Sequence, residues 1–241
     1  MSQSHNYNHI TTIIFDMDGT LIEHTWQLQT ICDALFARFA DKLAPLTADE
    51  FFDCFWTKSY DMWHMMVDRV LDGQTAAKYA YANTLRTLGY DPALAGPLLD
   101  AWVELVLEEA VPFVDTYTVL AELRQHYTLG ILTNGYIHLQ RRKIEKYRLE
   151  EYVDFIVVSE EAGYHKPDRR VFECALDLAG QPLPEQVLFI GDNLETDIGG
   201  ALAAGLTPVL IDTKNRTDPP EGVYEINRLA ELLILLNLNQ G

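Results

Sequence analysis

Ile10–Thr20 reads ITTIIFDMDGT, an apolar run that ends at Phe15 and passes at once into two aspartates, a glycine and a threonine. The run is short, apolar on both faces and without clean alternation, as expected of a strand covered by helices on both sides. Four more runs share that character: Leu129–Leu132, Phe155–Val158, Val187–Ile190 and Pro208–Ile211. Helical patterns separate them from the second run onward. Leu120, Leu123 and Tyr127 mark one, and Val171, Phe172, Ala175, Leu176 and Ala179 mark another that stops at Gly180. Alternation of this kind predicts an α/β fold with a parallel, doubly wound sheet.

One connection breaks the rhythm. Roughly 90 residues separate the first strand from the helix before the second, well beyond an ordinary crossover. Leu28, Ile31, Cys32, Leu35, Phe36 and Phe39 follow helical spacing, as do Leu98, Leu99, Trp102, Val103, Val106 and Leu107. Residues 21–111 are therefore expected to form an inserted helical domain ending at the Val111–Pro112 step, with residues 1–20 and 112–241 forming the sheet domain. The TKNRTDPPEG segment is expected to be an exposed loop before a C-terminal amphipathic helix.

Composition narrows the function. The 241 residues carry 36 Asp and Glu against 18 Lys and Arg, a formal charge of −18, with 48% hydrophobic residues. Enough apolar surface is available for a globular fold. The charge repels phosphate backbones at long range, which argues against nucleic-acid polymers and anionic membrane surfaces as partners. No apolar run approaches the ~18 residues of a spanning helix. MSQSHNYNH lacks the basic and apolar regions of a secretory signal. Cys32, Cys54 and Cys174 are far apart and without CxxC spacing, so reduced thiols in a cytoplasm are expected, and no zinc site.

In an open parallel sheet the ligand crevice lies at the carboxyl ends of the strands. Asp16-Met17-Asp18-Gly19-Thr20 follows the first strand, and Thr133-Asn134-Gly135 follows the second. A loop reaching Lys166-Pro167 follows the third, and Gly191-Asp192, with Asp197 in the next helical turn, follows the fourth. Four carboxylates, one lysine and two short polar side chains make a coherent site for a divalent cation and a phosphoryl group.

FDMDGT, TNG, the Lys-Pro pair and GDNLETD closely resemble, in order and spacing, the four signature motifs of the haloacid dehalogenase superfamily. The resemblance covers Ile10 to Asp212, and the helical insertion resembles the family's cap of the C1 type. It implies a Mg2+-dependent phosphatase in which Asp16 is the nucleophile, already ionised with an ordinary carboxylate pKa. Asp18 would be the general acid and then the base. The Asp16 and Asp192 carboxylates and the Asp18 main-chain carbonyl would bind the metal, with Asp197 acting through water or by orienting its neighbours. Thr133 and the Asn134 backbone N–H would hold phosphate oxygens, and Lys166 would neutralise phosphate and Asp16.

The stretch from Ile131 to Phe172, with TNG and SEE-x-G-x-x-KP, looks most like the pyrimidine 5'-nucleotidase branch. That likeness implies nucleoside 5'-monophosphates as substrates; phosphatases for flavin mononucleotide, phosphoglycolate or small sugar phosphates are the alternatives. A phosphomutase is a more distant reading. A dehalogenase is more distant too, because the family's dehalogenases lack an aspartate two residues after the nucleophile. The partner would be a small phosphorylated metabolite, and the protein a monomer or homodimer. Gly199-Gly200 reads as close helix–sheet packing. His24, close after the first motif, reads as an exposed loop histidine or as one that faces the substrate, and His165 reads as an exposed loop histidine. The tryptophans and FFDCFW read as anchors of the bundle or as a base-stacking surface, with Trp26 the one nearest the first motif.

Overall fold

The computed structural model describes residues 7–23, 29–213 and 219–238. Two compact units emerge: one holds the chain up to Glu23, Pro112–Asn134 and the residues from Ile144 onward, the other residues 29–111 with Gly135–Lys143. Strand β1 (Thr12–Phe15) opens the first unit, and helices α1 (Gln29–Arg38), α2 (Ala40–Leu43), α3 (Ala48–Val67), α4 (Gly73–Leu88) and α5 (Ala95–Glu109) follow in the second. Helix α6 (Thr116–Leu123), β2 (Thr128–Thr133), α7 (Ile137–Lys146), β3 (Phe155–Val158), α8 (Ser159–Ala162) and α9 (Arg169–Leu178) come next. Then come β4 (Val187–Gly191), a π-helical turn at Leu194–Gly199, α10 (Gly200–Ala204), β5 (Thr207–Ile211), β6 (Tyr224–Ile226) and α11 (Glu231–Leu235).

The first unit is built on a six-stranded parallel sheet in the order β3-β2-β1-β4-β5-β6. All four residues of β1 and all five of β4 are buried, which explains their unbroken apolar sequence. Phe15 pairs with Ile131 on one side and Ile190 on the other, so the first residues beyond β1, β2 and β4 emerge at the same sheet edge. Phe172 of α9 meets Phe189 of β4 edge to face at 5.3 Å, and burying each ring contributes on the order of 1.5–3 kcal/mol. At Gly200 a Cβ would come within 2.7 Å of the Phe172 ring and 3.1 Å of Pro167 Cα, so the close approach there is to α9 and the loop before it.

The ends of the long insertion are joined within the sheet unit. Ile22 forms an antiparallel bridge with Pro112, and the Leu21 carbonyl accepts from Phe113 N at 3.1 Å and Thr116 Oγ1 at 2.8 Å.

Among the described residues, every regular element of the second unit is helical. Helix α3 starts from a capping box in which Thr47 and Glu50 satisfy each other's backbone N–H groups. Asp72 caps α4, which ends at Gly89 in the left-handed conformation. The core gathers Phe51, Phe52 and Phe55 of α3 against Tyr81 of α4, with Phe55 and Tyr81 ring centroids 4.4 Å apart. The FFDCFW phenylalanines are therefore packing anchors. Trp56 and Trp102 flank that core, whereas Trp63 is 39% exposed; His24 and Trp26 lie outside the described residues.

Three sequence expectations need adjustment. β1 begins at Thr12, because Ile10 is already committed to a turn, its N–H donating to Tyr7 O. The C-terminal region adds β6 before its helix, and α11 is a single short segment of five residues. A three-residue edge strand carries too little periodicity to be read from sequence. His165 is buried and not exposed. No described helix is long and apolar enough to cross a membrane.

Candidate active site

The order of strands reverses at β1, which has β2 on one side and β4 on the other, and such a switch point opens a crevice at the carboxyl ends. Asp16 follows β1 directly and its N–H extends the ladder to Ile190 O at 2.8 Å. Asp192 follows β4. Asp197 comes from the π-helical turn, a form found frequently at functional sites. Asn193 shapes that turn: its Oδ1 accepts from the N–H groups of Glu195 and Thr196, while its own N–H donates to Asp197 Oδ2 at 3.1 Å. Carboxylate oxygens of Asp16, Asp192 and Asp197 lie within 4.8 Å of one another.

Two glycines clear the space for this cluster. Gly19 has φ +92°, and a Cβ there would lie 2.3 Å from Asp192 Oδ2. At Gly191 a Cβ would lie 2.5 Å from Asp197 Oδ2. Both separations are far inside van der Waals contact, so the carboxylates occupy volume that any other residue would fill.

Lys166 reaches the cluster from the loop after β3. Its Nζ donates to Asp16 Oδ1 and to Asp197 Oδ1, each at 2.6 Å, and its side chain is 2% exposed. Its contact with Asp16 was anticipated; the one with Asp197 was not. Asn134, just beyond β2, meets the Lys166 backbone with its side chain: Oδ1 accepts from Lys166 N at 2.8 Å and Nδ2 donates to Lys166 O at 2.9 Å. Ser159 Oγ and His165 Nδ1 are 2.8 Å apart in the same loop, both residues buried. Thr133 is the last residue of β2 and is buried. Asp18 is half-buried, and its carboxylate is not one of the three that cluster.

Electrostatics corrects one expectation. Burial drives the Asp16 carboxyl well above the ordinary range, Lys166 opposes this, and Asp197 and Asp192 add to it. Asp16 thus departs from the ordinary carboxylate pKa that its motif suggests. Asp192 is pushed up to about 7, first by burial and then by Asp197, again with Lys166 opposing. For Lys166, burial alone would favour the neutral amine, but Asp16 and Asp197 outweigh it and hold the ammonium above the usual lysine range. Burial lowers His165 against the pull of Glu160, which favours a neutral imidazole beside Ser159.

Three carboxyl groups face one ammonium here, in a pocket supplied with hard oxygen donors and neither thiolate nor imidazole in the cluster. That donor set fits a hard divalent cation such as Mg2+.

Residues 10–205 match the haloacid dehalogenase-like hydrolase family. The chain belongs to that family. Among haloacid dehalogenase-like hydrolases, Pyrimidine 5'-nucleotidase YjjG of Escherichia coli K12 is 30% identical over 227 residues, covering 93% of this chain and 96% of the relative. The crystal structure of the HAD-hydrolase YfnB from Bacillus subtilis, bound to magnesium, superposes with a TM-score of 0.70 at 27% identity, over 95% of this chain and 99% of that one. A 2-haloacid dehalogenase from Pseudomonas syringae shares the fold, with a TM-score of 0.71 at 24% identity over 95% of this chain and 99% of that one. The protein is therefore a hydrolase of this family, and both its fold and its motif order agree with that membership.

Proposed function

We propose that this hydrolase is a Mg2+-dependent phosphomonoesterase that works through an aspartyl-phosphate and takes nucleoside 5'-monophosphates, pyrimidine nucleotides first. The observation that carries the reading is the Lys166-bridged cluster of Asp16, Asp192 and Asp197, with Asp18 standing two residues from Asp16 and outside the cluster. The similarity to YjjG over nearly the whole of both chains supports the substrate class.

In this reading Asp16 attacks phosphorus and the P–O bond to the leaving alcohol breaks. Asp18 gives its proton to the departing alkoxide. It then takes a proton from water, which attacks the aspartyl-phosphate, releasing phosphate and restoring Asp16. Thr133 and the Asn134 N–H hold phosphate oxygens, and Lys166 offsets the negative charge that gathers there. Asp16, Asp192 and the Asp18 carbonyl would hold Mg2+, with Asp197 oriented by Lys166 and Asn193; the ion supplies positive charge that offsets repulsion between nucleophile and phosphate. Residues 21–111 are read as the family's cap, whose part in such enzymes is to exclude water from the reaction. The free thiols Cys32, Cys54 and Cys174 suit a reducing cytoplasm.

A panel of phosphate monoesters tests the assignment, with release of inorganic phosphate measured with Mg2+ and with chelator. Uridine and thymidine 5'-monophosphates should be cleaved fastest, and chelator should abolish turnover. Preference for flavin mononucleotide, phosphoglycolate or a sugar phosphate would move the enzyme to that substrate class, and equal rates on all of them would remove the nucleotide assignment.

A further inference from the structure

The structure assigns the Asn134 side chain a positioning role: its carboxamide clamps the Lys166 backbone and thereby sets where the Lys166 ammonium stands between Asp16 and Asp197. The inference rests on the phosphomonoesterase reading for its kinetic consequences, but not for its geometry.

A primary amide presents one donor and one acceptor side by side, which matches the N–H and C=O of a single residue. Asn134 uses both on Lys166, at 2.9 and 2.8 Å. An aspartate could keep the bond from Lys166 N, but would set a second acceptor against the Lys166 carbonyl. A leucine of similar shape could keep neither.

Restraint matters here because Lys166 carries a long, flexible stem whose tip must meet two oxygens at 2.6 Å. The loop that carries it, from Ser159 to Asp168, contains only the four-residue α8 as regular structure. Local bonds brace it, among them Ser159 Oγ with His165 Nδ1 at 2.8 Å, Gly163 N to Ser159 O at 2.9 Å and Asp168 N to His165 O at 2.8 Å. Asn134 adds a tie from outside the loop, joining the end of β2 to the residue that bears the ammonium. Its side chain thus acts through Lys166, separately from any contact that its backbone N–H makes with phosphate.

The test compares Asn134→Leu, Asn134→Asp, Lys166→Met and the Asn134→Leu/Lys166→Met double variant. It has two arms. In metal-free protein, reductive methylation read by peptide mass spectrometry should leave Lys166 unmodified in the wild type and modified in Asn134→Leu, with Asn134→Asp between them. Using an activated aryl phosphate, Asn134→Leu should lower kcat about 10²-fold and shift KM less than about threefold, since misplacing a catalytic group by about 1 Å costs that much. In the Lys166→Met background the same change should cost less than about threefold, the non-additivity expected of residues acting as a unit. Circular dichroism checks folding, and Asn134→Asp stands in if the leucine variant fails to fold. Unchanged Lys166 protection, or an equal kinetic cost with and without Lys166, would overturn the clamp. If the wild type cleaves no phosphate ester, the phosphatase reading falls, while the methylation arm still decides the clamp.

Discussion

Asp197 Oδ1 accepts from Lys166 Nζ at 2.6 Å with both side chains 2% exposed, so the ion pair lies almost wholly out of water. The same ammonium serves Asp16. Removing it leaves neighbouring buried carboxylates uncompensated. Lys166→Met should therefore lose about 3–5 kcal/mol of stability near neutral pH, the cost typical of breaking a buried pair from one side. The loss should shrink at pH 5. Without Lys166 the Asp16 carboxyl, already raised by burial, rises further, so the folded state binds more protons than the unfolded one and stability falls as pH rises. Urea unfolding at pH 5 and 7.5 checks this; equal losses at both would contradict it.

Asp16→Asn should reduce kcat by about 10³-fold or more, since it removes the nucleophile itself. Acid quenching during turnover should leave a phosphoryl group on the Asp16 peptide of the wild type and none on the variant. Asp18→Asn should still form the adduct from an aryl phosphate, whose leaving group needs no proton, but hydrolyse it slowly. An Asp18→Asn enzyme that turns over without accumulating adduct would remove Asp18 from the second step.

Mg2+ binding should be proton-linked. Asp192 titrates near 7 in the metal-free protein and must be ionised to hold a cation. Affinity should rise with pH, by up to about tenfold per unit below 7, and level off above it. For the metal-free protein the sign is opposite: a raised folded-state pKa makes stability fall as pH climbs from the ordinary carboxylate range through about 7. Calorimetric titration at pH 6 and 8 should show release of protons and the stronger binding at pH 8; pH-independent affinity would refute the linkage.

Gly19→Ala should weaken Mg2+ binding at least about tenfold, because a methyl 2.3 Å from Asp192 Oδ2 must displace that carboxylate. Gly180→Ala provides the control. Its φ is +85° but no atom would lie within 4 Å of the added methyl. Both variants should lose about 1–3 kcal/mol from backbone strain, whereas only Gly19→Ala should lose metal affinity. Equal Mg2+ affinities would mean that the Asp192 carboxylate does not bind the ion.

Phe51 is fully buried and packs against Phe36, Phe52, Phe55 and Tyr81. Phe51→Ala should cost about 3–5 kcal/mol. Hydrogen exchange should accelerate in α1, α3, α4 and α5 while the amides of β1 and β4 keep their protection. A uniform increase would show that the helical unit does not open by itself.

The sheet was legible because its strands are apolar on both faces and each ends in a conspicuous polar turn. The cluster was legible as a list of aspartates after those strands. Their consequences were not. Nothing in FDMDGT reveals that burial raises Asp16, or that Asp197 and Asp192, more than 100 positions away in sequence, add to the shift while Lys166 opposes it. Lys166 could be matched to Asp16 by motif, yet its second bond depends on where the π-helical turn places Asp197. Asn134 was noticed for its backbone, whereas its side chain pairs with a residue 32 positions on. His165 misled because a histidine beside a lysine and a proline reads as exposed until Ser159 is brought within 2.8 Å of it. β6 was too short to leave a periodic trace.

The bridge between Ile22 and Pro112, with Leu21 O held by both Phe113 and Thr116, has a consequence for how the chain can vary. These bonds clasp the two ends of the insertion together, so the length of chain between them carries little entropic penalty, about 0.6 kcal/mol for each doubling. Such a clasp lets one sheet accept insertions of very different size without rewiring its strands. A complete graft of another insert would still have to match Leu139, which follows the second motif yet packs in the insertion's own core. The insertion is thus a removable cassette in its wiring but not in its packing, and an engineer exchanging it should carry Gly135–Lys143 along.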